Sequence, residues 1–537
     1  MQTIATDLPN DIETLKAIIL AQQNSLMLKD IDLQEKDRQI LWEREKFRAL
    51  EMRYFGHSSE KQHIKKDAQY FLFDEAESHA ADESEPVAAT TTVVSHERKK
   101  AGRKPKDIPL PILEKVHELP EADRQCPCCG KERAVIGEER TSEFDLVPAH
   151  VVKIVHLRRK YGPCDCDSFT DSDESPVLIA AGPVKIVPGS DFTNRTTAFF
   201  MTAKYADAIP FYRMEKMLAR SGLLVTRAAL SKQAISVGRA IGDLSDLMNR
   251  DLLNSPVMLM DETTVQVLGE KDKSNESKSY MWVMRGYKGD KPMLRFAYHP
   301  SRSGSVAENL LTGFKGFYLQ TDGFDGYNRF DGRPDLVHVG CFAHIRRKFV
   351  SAWEVAGKKG IAKEAVNIIA QLYRTESELR EKLKDKHIDP DTFTIRRKAL
   401  VEPILAEFRD WLMAASLSVA PQSALGKAIS YAQAIFPRAS RYIDHSMMTP
   451  DTNAVENAIR PFVIGRKNWL FSGGPRGAHA SASIYSLTET AKANGHDPYF
   501  YLSHVFDRLP VCCTEAEKKA LLPYNLSPET VMQMRGN

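Results

Sequence analysis

Long apolar runs are missing from this 537-residue sequence. No stretch reaches the 18 or so consecutive apolar residues of a membrane-spanning helix, and the start, Met-Gln-Thr-Ile-Ala-Thr-Asp-Leu, lacks the basic and then apolar regions of a secretion signal. These absences predict a cytoplasmic protein. Because single hydrophobic cores stop growing near about 300 residues, the length predicts several domains.

Cysteine is also scarce, since eight residues in a chain of this length are too few for a disulfide scaffold. Five of the eight lie between positions 126 and 166, in Cys126-Pro-Cys128-Cys129 and, after 34 further residues, Cys164-Asp-Cys166. Two cysteine pairs in a strand-rich segment are typical of a tetrahedral Zn²⁺ site, with Cys126, Cys129, Cys164 and Cys166 as ligands. The short second pair leaves open that Cys128 replaces one ligand, and the alternative is unligated buried cysteines. Residues 151–159 between the pairs predict a strand covered on both faces.

An excess of charge of one sign is absent too, because 74 Lys and Arg residues face 71 Asp and Glu residues, for a net charge of +3. The distribution is more informative than the sum. Residues 74–85 contain six acidic side chains, and residues 98–106 contain six basic ones. We expect residues 61–107 to form a linker, acidic and then basic, whose Arg103 and Lys104 contact DNA phosphates; Gly102-Arg-Lys-Pro105 resembles an AT-hook core. A solvated charge run is the alternative.

Proline and glycine are absent from residues 11–55, which predicts a long N-terminal helix. Apolar side chains recur there every seven residues, as on one seam of a coiled coil: Ile12, Ile19, Leu26, Leu33, Ile40, Phe47 and Tyr54. The complementary positions are mostly polar, so the alternatives are self-association through this helix and a solvated helix packed on its own chain.

A helix-turn-helix is predicted between residues 186 and 250. Two short helical stretches, Tyr212 to Arg220 and Thr226 to Val237, are joined across Ser221-Gly222-Leu223, with Thr226 as the N-cap of the second. Arg227 and Lys232 near the start of that helix are candidate DNA contacts. A helical hairpin without a DNA-binding role gives the same pattern.

Beyond Pro256 the chain turns to short apolar runs that predict strands: Val257–Asp261, Thr263–Leu268, Tyr280–Gly286, Met293–Tyr298 and Phe317–Asp322. The first three predict an antiparallel meander, and a helix from Ser305 to Leu311 precedes the last run. Three strands, a helix and a further strand is the order of the ribonuclease-H-like fold. In that fold the first and fourth strands are neighbours, which would bring Asp261 and Asp322 together. Glu262 points to the opposite face if its strand continues.

A third acidic residue, Glu456, lies in the helical segment Asn453-Ala-Val-Glu-Asn-Ala-Ile-Arg-Pro461. We expect Pro461 to end or kink this helix. The mainly helical residues Ile361 to Ile435 account for the distance from Asp322. Three carboxylates from rigid elements fit a two-metal phosphoryl-transfer site, and nearby basic and aromatic side chains fit a phosphodiester substrate: Arg346, Arg347, Arg460, Arg466, Lys467 and Trp469. Cys341 and His344 alone do not close a zinc site, so a structural histidine is favoured there.

Four blocks of this sequence resemble the DDE transposases of the bacterial IS66 insertion-sequence family. They are MDETTVQVL at 260–268, QTDGFDGY at 320–327, GCFAHIRRKF at 340–349 and NAVENAIRPFVIGRKNWLFSGG at 453–474. Residues 54–61, 126–166, 204–213 and 521–525 are similar to other blocks of the family. The sequence departs from the family at Cys164-Asp-Cys166, where two residues usually separate the cysteines.

The resemblance implies a ribonuclease-H-like domain that cuts at the ends of a mobile element and joins their 3′-hydroxyls to target DNA. Asp261, Asp322 and Glu456 match the catalytic triad, which would bind two Mg²⁺ or Mn²⁺ ions. Expected partners are double-stranded DNA, further copies of the chain and accessory proteins of the element, with association with the nucleoid when DNA is bound. A metal-dependent nuclease without joining and a non-catalytic DNA-binding regulator are the alternatives.

The expected fold class is multidomain α+β. The predicted domains are an N-terminal helix (1–60), the linker (61–107), a zinc-ribbon-like module (108–185), a helix-turn-helix-like domain (186–250), a ribonuclease-H-like catalytic domain (251–350 and 436–510), an all-helical insertion (351–435) and a C-terminal tail (511–537).

Overall fold

The computed structural model describes residues 11–55, 151–161 and 178–532. They form a mixed α+β structure with one large sheet and many helices. The strands are β1 (Lys160–Tyr161), β2 (Leu178–Ile179), β3 (Val257–Val267), β4 (Lys278–Lys288), β5 (Lys291–His299), β6 (Tyr318–Gln320), β7 (Val337–Val339) and β8 (Phe471–Ser472). Within these residues no helix is long and apolar enough to cross a membrane.

The helices surround this sheet and extend beyond it. They are α1 (Ile12–Phe55), α2 (Asn194–Tyr205), α3 (Phe211–Arg220), α4 (Arg227–Ala240), α5 (Gly242–Leu252), α6 (Gly304–Leu310), α7 (Phe342–Val355), α8 (Ala362–Lys384), α9 (Pro390–Ser418), α10 (Ala424–Ala439), α11 (Asn453–Trp469), α12 (Pro475–Ala493), α13 (Pro498–Arg508), α14 (Glu515–Ala520) and α15 (Pro528–Met532). Short 3₁₀ helices cover Asp325–Phe330, Ser440–Asp444, Leu509–Val511 and Pro523–Asn525.

The large sheet has the strand order β5-β4-β3-β6-β7, and β8 pairs with the far end of β3. Strands β3, β4 and β5 form an antiparallel meander, whereas β6 runs parallel to β3 and β7 parallel to β6. The predicted adjacency of the first and fourth strands is confirmed, because Val257 pairs with Tyr318 and Leu259 with Gln320. Adjacent strands lie about 4.8 Å apart, so this register decides which side chains meet.

One predicted boundary is wrong. The runs Val257–Asp261 and Thr263–Leu268 form the single strand β3, so Asp261 lies inside a strand and not at its end. The first four residues of β3 are buried, as expected for a strand covered on both faces. Pairing with β4 continues past Asp261, opposite Val283, and this partner keeps the chain extended.

The outer edge of the sheet at β5 is covered by α12. The hydroxyl of Thr490 accepts a hydrogen bond from the backbone N–H of Leu294 at 3.0 Å, and that of Ser486 accepts one from Phe296 at 2.8 Å. At this edge of β5, the two hydroxyls accept hydrogen bonds from backbone N–H groups that would otherwise be free to pair with another strand.

The predicted helical hairpin is present as α3 and α4. Thr226 caps α4, since its hydroxyl accepts a hydrogen bond from the N–H of Ala229 at 3.2 Å. The structure does not test whether this hairpin reads DNA.

The helices predicted between Ile361 and Ile435 are α8, α9 and α10. A buried Arg397 on α9 donates hydrogen bonds to the carbonyls of Tyr442, His445, Ser446 and Met448, and it pairs with the buried carboxylate of Glu376 at 3.2 Å. These contacts tie the helices to the loop that leads into α11.

One other expectation on secondary structure fails. Residues 151–159 are not in a strand and are exposed, with Leu157 at 88% exposure, because apolar composition indicates burial without specifying a partner. Of the two outcomes predicted for Pro461, an end or a kink of the helix around Glu456, the structure excludes the end, since the helix runs on to Trp469. Packing of α11 on β3, reinforced by hydrogen bonds from Arg466 to Thr263 and Thr264, outweighs the hydrogen bond that proline cannot donate.

The N-terminal helix is confirmed as α1, of 44 residues. The side chains of its apolar seam from Ile12 to Ile40 are exposed, with Ile12 at 68% and Leu33 at 58%. Whether a second copy covers this seam stays a prediction, as do the domain boundaries. The linker with Arg103 and Lys104, and the cysteines Cys126, Cys128, Cys129, Cys164 and Cys166, lie outside the described residues.

Candidate active site

Asp261 and Asp322 belong to neighbouring parallel segments of the chain. The last pair of the β3–β6 ladder joins Leu259 to Gln320; Asp261 lies two residues further along β3, and Asp322 lies two residues beyond the end of β6. Because side chains alternate along a strand, Asp261 lies on the same face of β3 as Leu259, and the charge of Asp322 is close enough to raise the pKa of Asp261. The fold thus brings together two acidic groups that 60 residues of sequence separate.

The turn after β6 holds Asp322 closely. Its Oδ1 accepts a hydrogen bond from the N–H of Phe324 at 2.9 Å. A side chain at Gly323 would overlap the hydroxyl of Tyr431, which reaches this turn from α10. A helix of the predicted insertion therefore contributes directly to the surroundings of Asp322.

Glu456 lies in the first turn of α11, where the helix dipole favours a negative charge. Its Oε1 accepts a hydrogen bond from the hydroxyl of Thr452 at 3.1 Å and lies 3.8 Å from Nδ1 of His344. Its Oε2 lies 3.5 Å from a guanidinium nitrogen of Arg347. The two oxygens of one carboxylate therefore face different neighbours.

The electrostatics show that the three carboxylates share one region. Burial raises the pKa of Asp261 well above its ordinary value, and the negative charges of Glu262, Asp322 and Glu456 raise it further. Like charges held this closely favour protonation or the binding of a cation. Carboxylate oxygens are also the ligands that Mg²⁺ and Mn²⁺ prefer, so the chemistry of these three side chains suits such ions.

Glu262 has its own partners, and its exclusion as a ligand stays a prediction. Its strand continues, its carboxylate pairs with Arg302 at 2.6 Å, and it accepts a hydrogen bond from the hydroxyl of Tyr327 at 2.5 Å. The guanidinium of Arg302 also lies 3.8 Å from the ring centroid of Phe324. Glu262 therefore anchors the turn that follows Asp322.

Cys341 and His344, at the start of α7, lie next to Glu456. The sulfur of Cys341, Nδ1 of His344 and a carboxylate oxygen of Glu456 all lie within 4.8 Å of one another. Sequence spacing shows only the first two residues of this set, because 111 residues separate His344 from Glu456.

The predicted DNA contacts differ in their surroundings. Arg227, Lys232, Arg347 and Lys467 are exposed and Arg460 is half-buried, whereas Arg346 is 5% exposed. Arg466 donates to the hydroxyls of Thr263 and Thr264 at 3.1 and 3.0 Å, so it has a structural role beside any role with DNA. The ring of Trp469 packs 5.7 Å from that of Phe462, and the ammonium of Lys204 lies 5.4 Å from it. None of these contacts tests DNA binding.

Sequence reasoning missed a buried chain of polar side chains behind Asp322. Nε2 of His338 lies 2.8 Å from the hydroxyl of Thr321, and Nδ1 lies 2.7 Å from Oδ1 of Asp331. Arg438 of α10 donates to Asp331 at 3.1 Å. The sequence indicates a buried histidine at this position, because His338 lies within the apolar segment Val337–Val339. It does not indicate the partners of His338, because they come from other elements.

Comparison with known proteins places these features in a family. The model described as "Transposase IS66 family" matches residues 189–480, which is more than half of the chain and includes Asp261, Asp322 and Glu456. The chain belongs to the IS66 transposase family. Residues 486–524 match the "IS66 C-terminal element", and residues 123–167 match the "zinc-finger binding domain of transposase IS66".

Curated relatives agree over nearly the full length. The uncharacterized protein y4qI of Sinorhizobium fredii is 28% identical, covering 98% of this chain and 99% of its own. A second uncharacterized protein of that organism, y4jD, is 28% identical over 84% of this chain and 88% of its own. The zinc-finger match of the IS66 chain spans all five clustered cysteines.

Proposed function

We propose that this IS66-family protein is a DNA transposase that cleaves at the ends of an insertion element and joins the 3′-hydroxyls to target DNA. The observation that carries the proposal is that the buried carboxylate of Asp261, in β3, lies near enough to Asp322, which follows β6, and to Glu456 of α11 for their charges to raise its pKa. The strand order of the sheet and the helical segment before α11 support a ribonuclease-H-like domain with a helical insertion.

Each residue of the proposed triad has a defined task. Asp261, held in β3 by its pairing with Val283 of β4, and Asp322, which accepts a hydrogen bond from the N–H of Phe324, would share the metal ions. Glu456 would complete the set from the helix. When bound, two Mg²⁺ or Mn²⁺ ions activate the attacking water or 3′-hydroxyl and neutralise charge on the leaving oxygen.

The basic side chains near the triad would hold the substrate. Arg347 is exposed and close to Glu456, so it can contact a phosphate next to the scissile bond. Arg460, on the same helix as Glu456, has no ion pair among the described side chains, which leaves its charge available to DNA. The clustered cysteines would bind a structural Zn²⁺ through Cys126, Cys129, Cys164 and Cys166, or with Cys128 in place of one of them.

The test is a strand-transfer assay with a labelled element-end duplex, a supercoiled target and Mg²⁺. Joined product supports the transposase, cleavage without joining supports a nuclease, and binding without either supports a regulator. Asp261→Asn, Asp322→Asn and Glu456→Gln should each abolish cleavage and retain DNA binding. Asp325→Asn is the matched control, because this exposed carboxylate lies in the same turn and should retain activity. Retained cleavage in a triad variant would remove that residue from the site.

A further inference from the structure

Cys341, His344 and Glu456 present three metal-binding atoms of different chemistry to one small region. Cys341 precedes α7 and His344 lies in its first turn, so the spacing of three residues places both on one side of the helix start. Glu456 comes from the first turn of α11. The three ligand atoms lie within 4.8 Å of one another, and Nδ1 of His344 is 3.8 Å from Oε1 of Glu456.

The sulfur of Cys341 is surrounded by hydrogen-bond donors. It is fully buried, accepts a hydrogen bond from the backbone N–H of Thr452 at 3.3 Å, and lies 3.3 Å from the hydroxyl of Thr452, whose single proton can go either to this sulfur or to Glu456. Burial and the nearby charges of Asp451 and Glu456 raise the pKa of this thiol to about 12, so the sulfur becomes a thiolate only when a metal ion displaces its proton, and the N–H of Thr452 then stabilises that thiolate.

The imidazole of His344 has a buried nitrogen without a hydrogen bond. Nδ1 has no hydrogen-bond partner among the described residues, and its nearest acidic oxygen, on Glu456, is too distant for one. Buried polar atoms in native proteins are nearly always satisfied, and each exception requires a partner that is bound later or a functional reason. An ion between this nitrogen, the sulfur and the carboxylate would satisfy all three.

We propose that Cys341, His344 and Glu456 form a site for a soft divalent transition-metal ion such as Zn²⁺, separate from the clustered cysteines, and that binding there withdraws Glu456 from the catalytic triad. Tetrahedral Zn²⁺ with bonds of about 2.0 to 2.3 Å separates its ligand atoms by about 3.3 to 3.8 Å. The side chains therefore need to move by about 1 Å or less. Binding exchanges one proton for the ion, because the thiol becomes a metal-bound thiolate and its proton passes to solvent.

The donor set selects against Mg²⁺, which prefers oxygen ligands, and for Zn²⁺ or Cd²⁺, which bind thiolate and imidazole. Glu456 is shared with the proposed triad, and Oε1 is the oxygen that faces His344. An ion held by Cys341 and His344 would draw this oxygen away from Asp261 and Asp322. The proposed inhibition of DNA cleavage rests on the proposed function, whereas the proposed metal binding does not.

The binding test uses the full-length protein with Zn²⁺ already bound to the cysteine cluster, titrated with Cd²⁺ and followed by the ultraviolet thiolate charge-transfer band. We expect one additional equivalent in the wild type and its loss in Cys341→Ser. His344→Gln should weaken this equivalent at least tenfold. Cys513→Ser is the matched control, because that thiol is exposed and far along the sequence, and it should keep the additional equivalent. Equal stoichiometry and affinity in the wild type, Cys341→Ser and His344→Gln, all with native circular dichroism, would overturn the site.

The activity test measures cleavage in excess Mg²⁺ with increasing Zn²⁺. The wild type and Cys513→Ser should lose cleavage activity in parallel with occupancy of the additional metal site. The residual activity of Cys341→Ser, measured relative to its own zinc-free rate, should require at least a tenfold higher Zn²⁺ concentration for the same inhibition. Occupancy without inhibition would overturn the coupling to Glu456. If the wild type cleaves no DNA under any condition, the proposed function fails while the Cd²⁺ titration still decides the site.

Discussion

The buried imidazole of His338 should make the stability of the sheet depend on pH. His338 lies at the centre of β7, with its side chain fully buried between Thr321 and Asp331. Nδ1 lies 2.7 Å from Oδ1 of Asp331, and Nε2 lies 2.8 Å from the hydroxyl of Thr321. Each ring nitrogen therefore has a polar partner while the ring is neutral.

Burial, assisted by the nearby charge of Arg438, lowers the pKa of His338 from 6.5 to about 4, against the opposing effect of Asp331. The folded protein therefore binds this proton less readily than the unfolded chain. The contribution of the neutral His338 imidazole to the free energy of unfolding is fully present above pH 6.5 and is lost as the pH falls towards 4. Over the whole range it is about 3 kcal/mol, and between pH 7 and pH 5 it is about 2 kcal/mol.

The assay is urea unfolding at pH 7, 6 and 5, followed by tryptophan fluorescence. His338→Gln retains a polar side chain of similar reach but cannot titrate. We expect the free energy of unfolding of the wild type to fall by about 2 kcal/mol more than that of the variant between pH 7 and pH 5. Asp451 acts in the opposite direction, because burial raises its pKa to about 6, and this contribution cancels in the comparison.

His387→Gln is the matched control, since His387 is exposed and its replacement should leave the pH dependence of the wild type unchanged. The reasoning is refuted if His338→Gln and the wild type lose stability in parallel over this range.

Three further substitutions probe the packing around the site. Gly323→Ala should destabilise the protein by about 1 to 3 kcal/mol, because the new methyl group overlaps the side chain of Tyr431. In thermal denaturation, adding Tyr431→Leu to the same chain should restore part of the lost stability. No recovery in the double variant would contradict the steric cause. Thr226→Ala should lower the free energy of unfolding by about 1 kcal/mol and increase hydrogen exchange in the first turn of α4, because it removes the N-cap hydroxyl. Thr226→Ser keeps the hydroxyl and should do neither. Equal exchange in both variants would count against the cap. Arg397→Met should lower the free energy of unfolding in urea by about 3 kcal/mol, because it leaves buried acceptors unpaired. Lys398→Met removes an exposed ion pair and should lower it by less than about 1 kcal/mol. Similar losses in the two variants would refute the importance of the buried network.

Local patterns predicted the elements of this protein well where the signal was periodic or punctuated by a cap. The long helix α1, the hairpin of α3 and α4 with its Thr226 cap, and the helical region after Ile361 follow from spacing and propensity alone. Boundaries were less secure. The strand β3 continues past Asp261 and the helix α11 continues past Pro461, because neighbouring strands and helices stabilise both extensions.

The candidate site is predicted from the sequence to the extent that its residues lie in recognisable blocks. The settings of Asp261, Asp322 and Glu456 and the family resemblance indicate this triad, which stays a prediction, and the pairing of β3 with β6 matches the expected neighbourhood of the first two. The partners of Glu456 were not predictable. His344 and Thr452 reach it only because α7 and α11 begin at the same place in the fold.

The sequence by itself determined that this chain carries acidic residues in the blocks of the IS66 family, a cysteine cluster and a helix-forming N-terminus, because composition, spacing and motif are properties of the linear chain. Only the tertiary structure decided that Asp261 lies within a strand whose neighbour β6 leads to Asp322, that Glu262 is bound by Arg302 and Tyr327, and that Cys341 and His344 lie next to Glu456. These contacts join residues far apart in the chain, and strand register and helix packing set their distances.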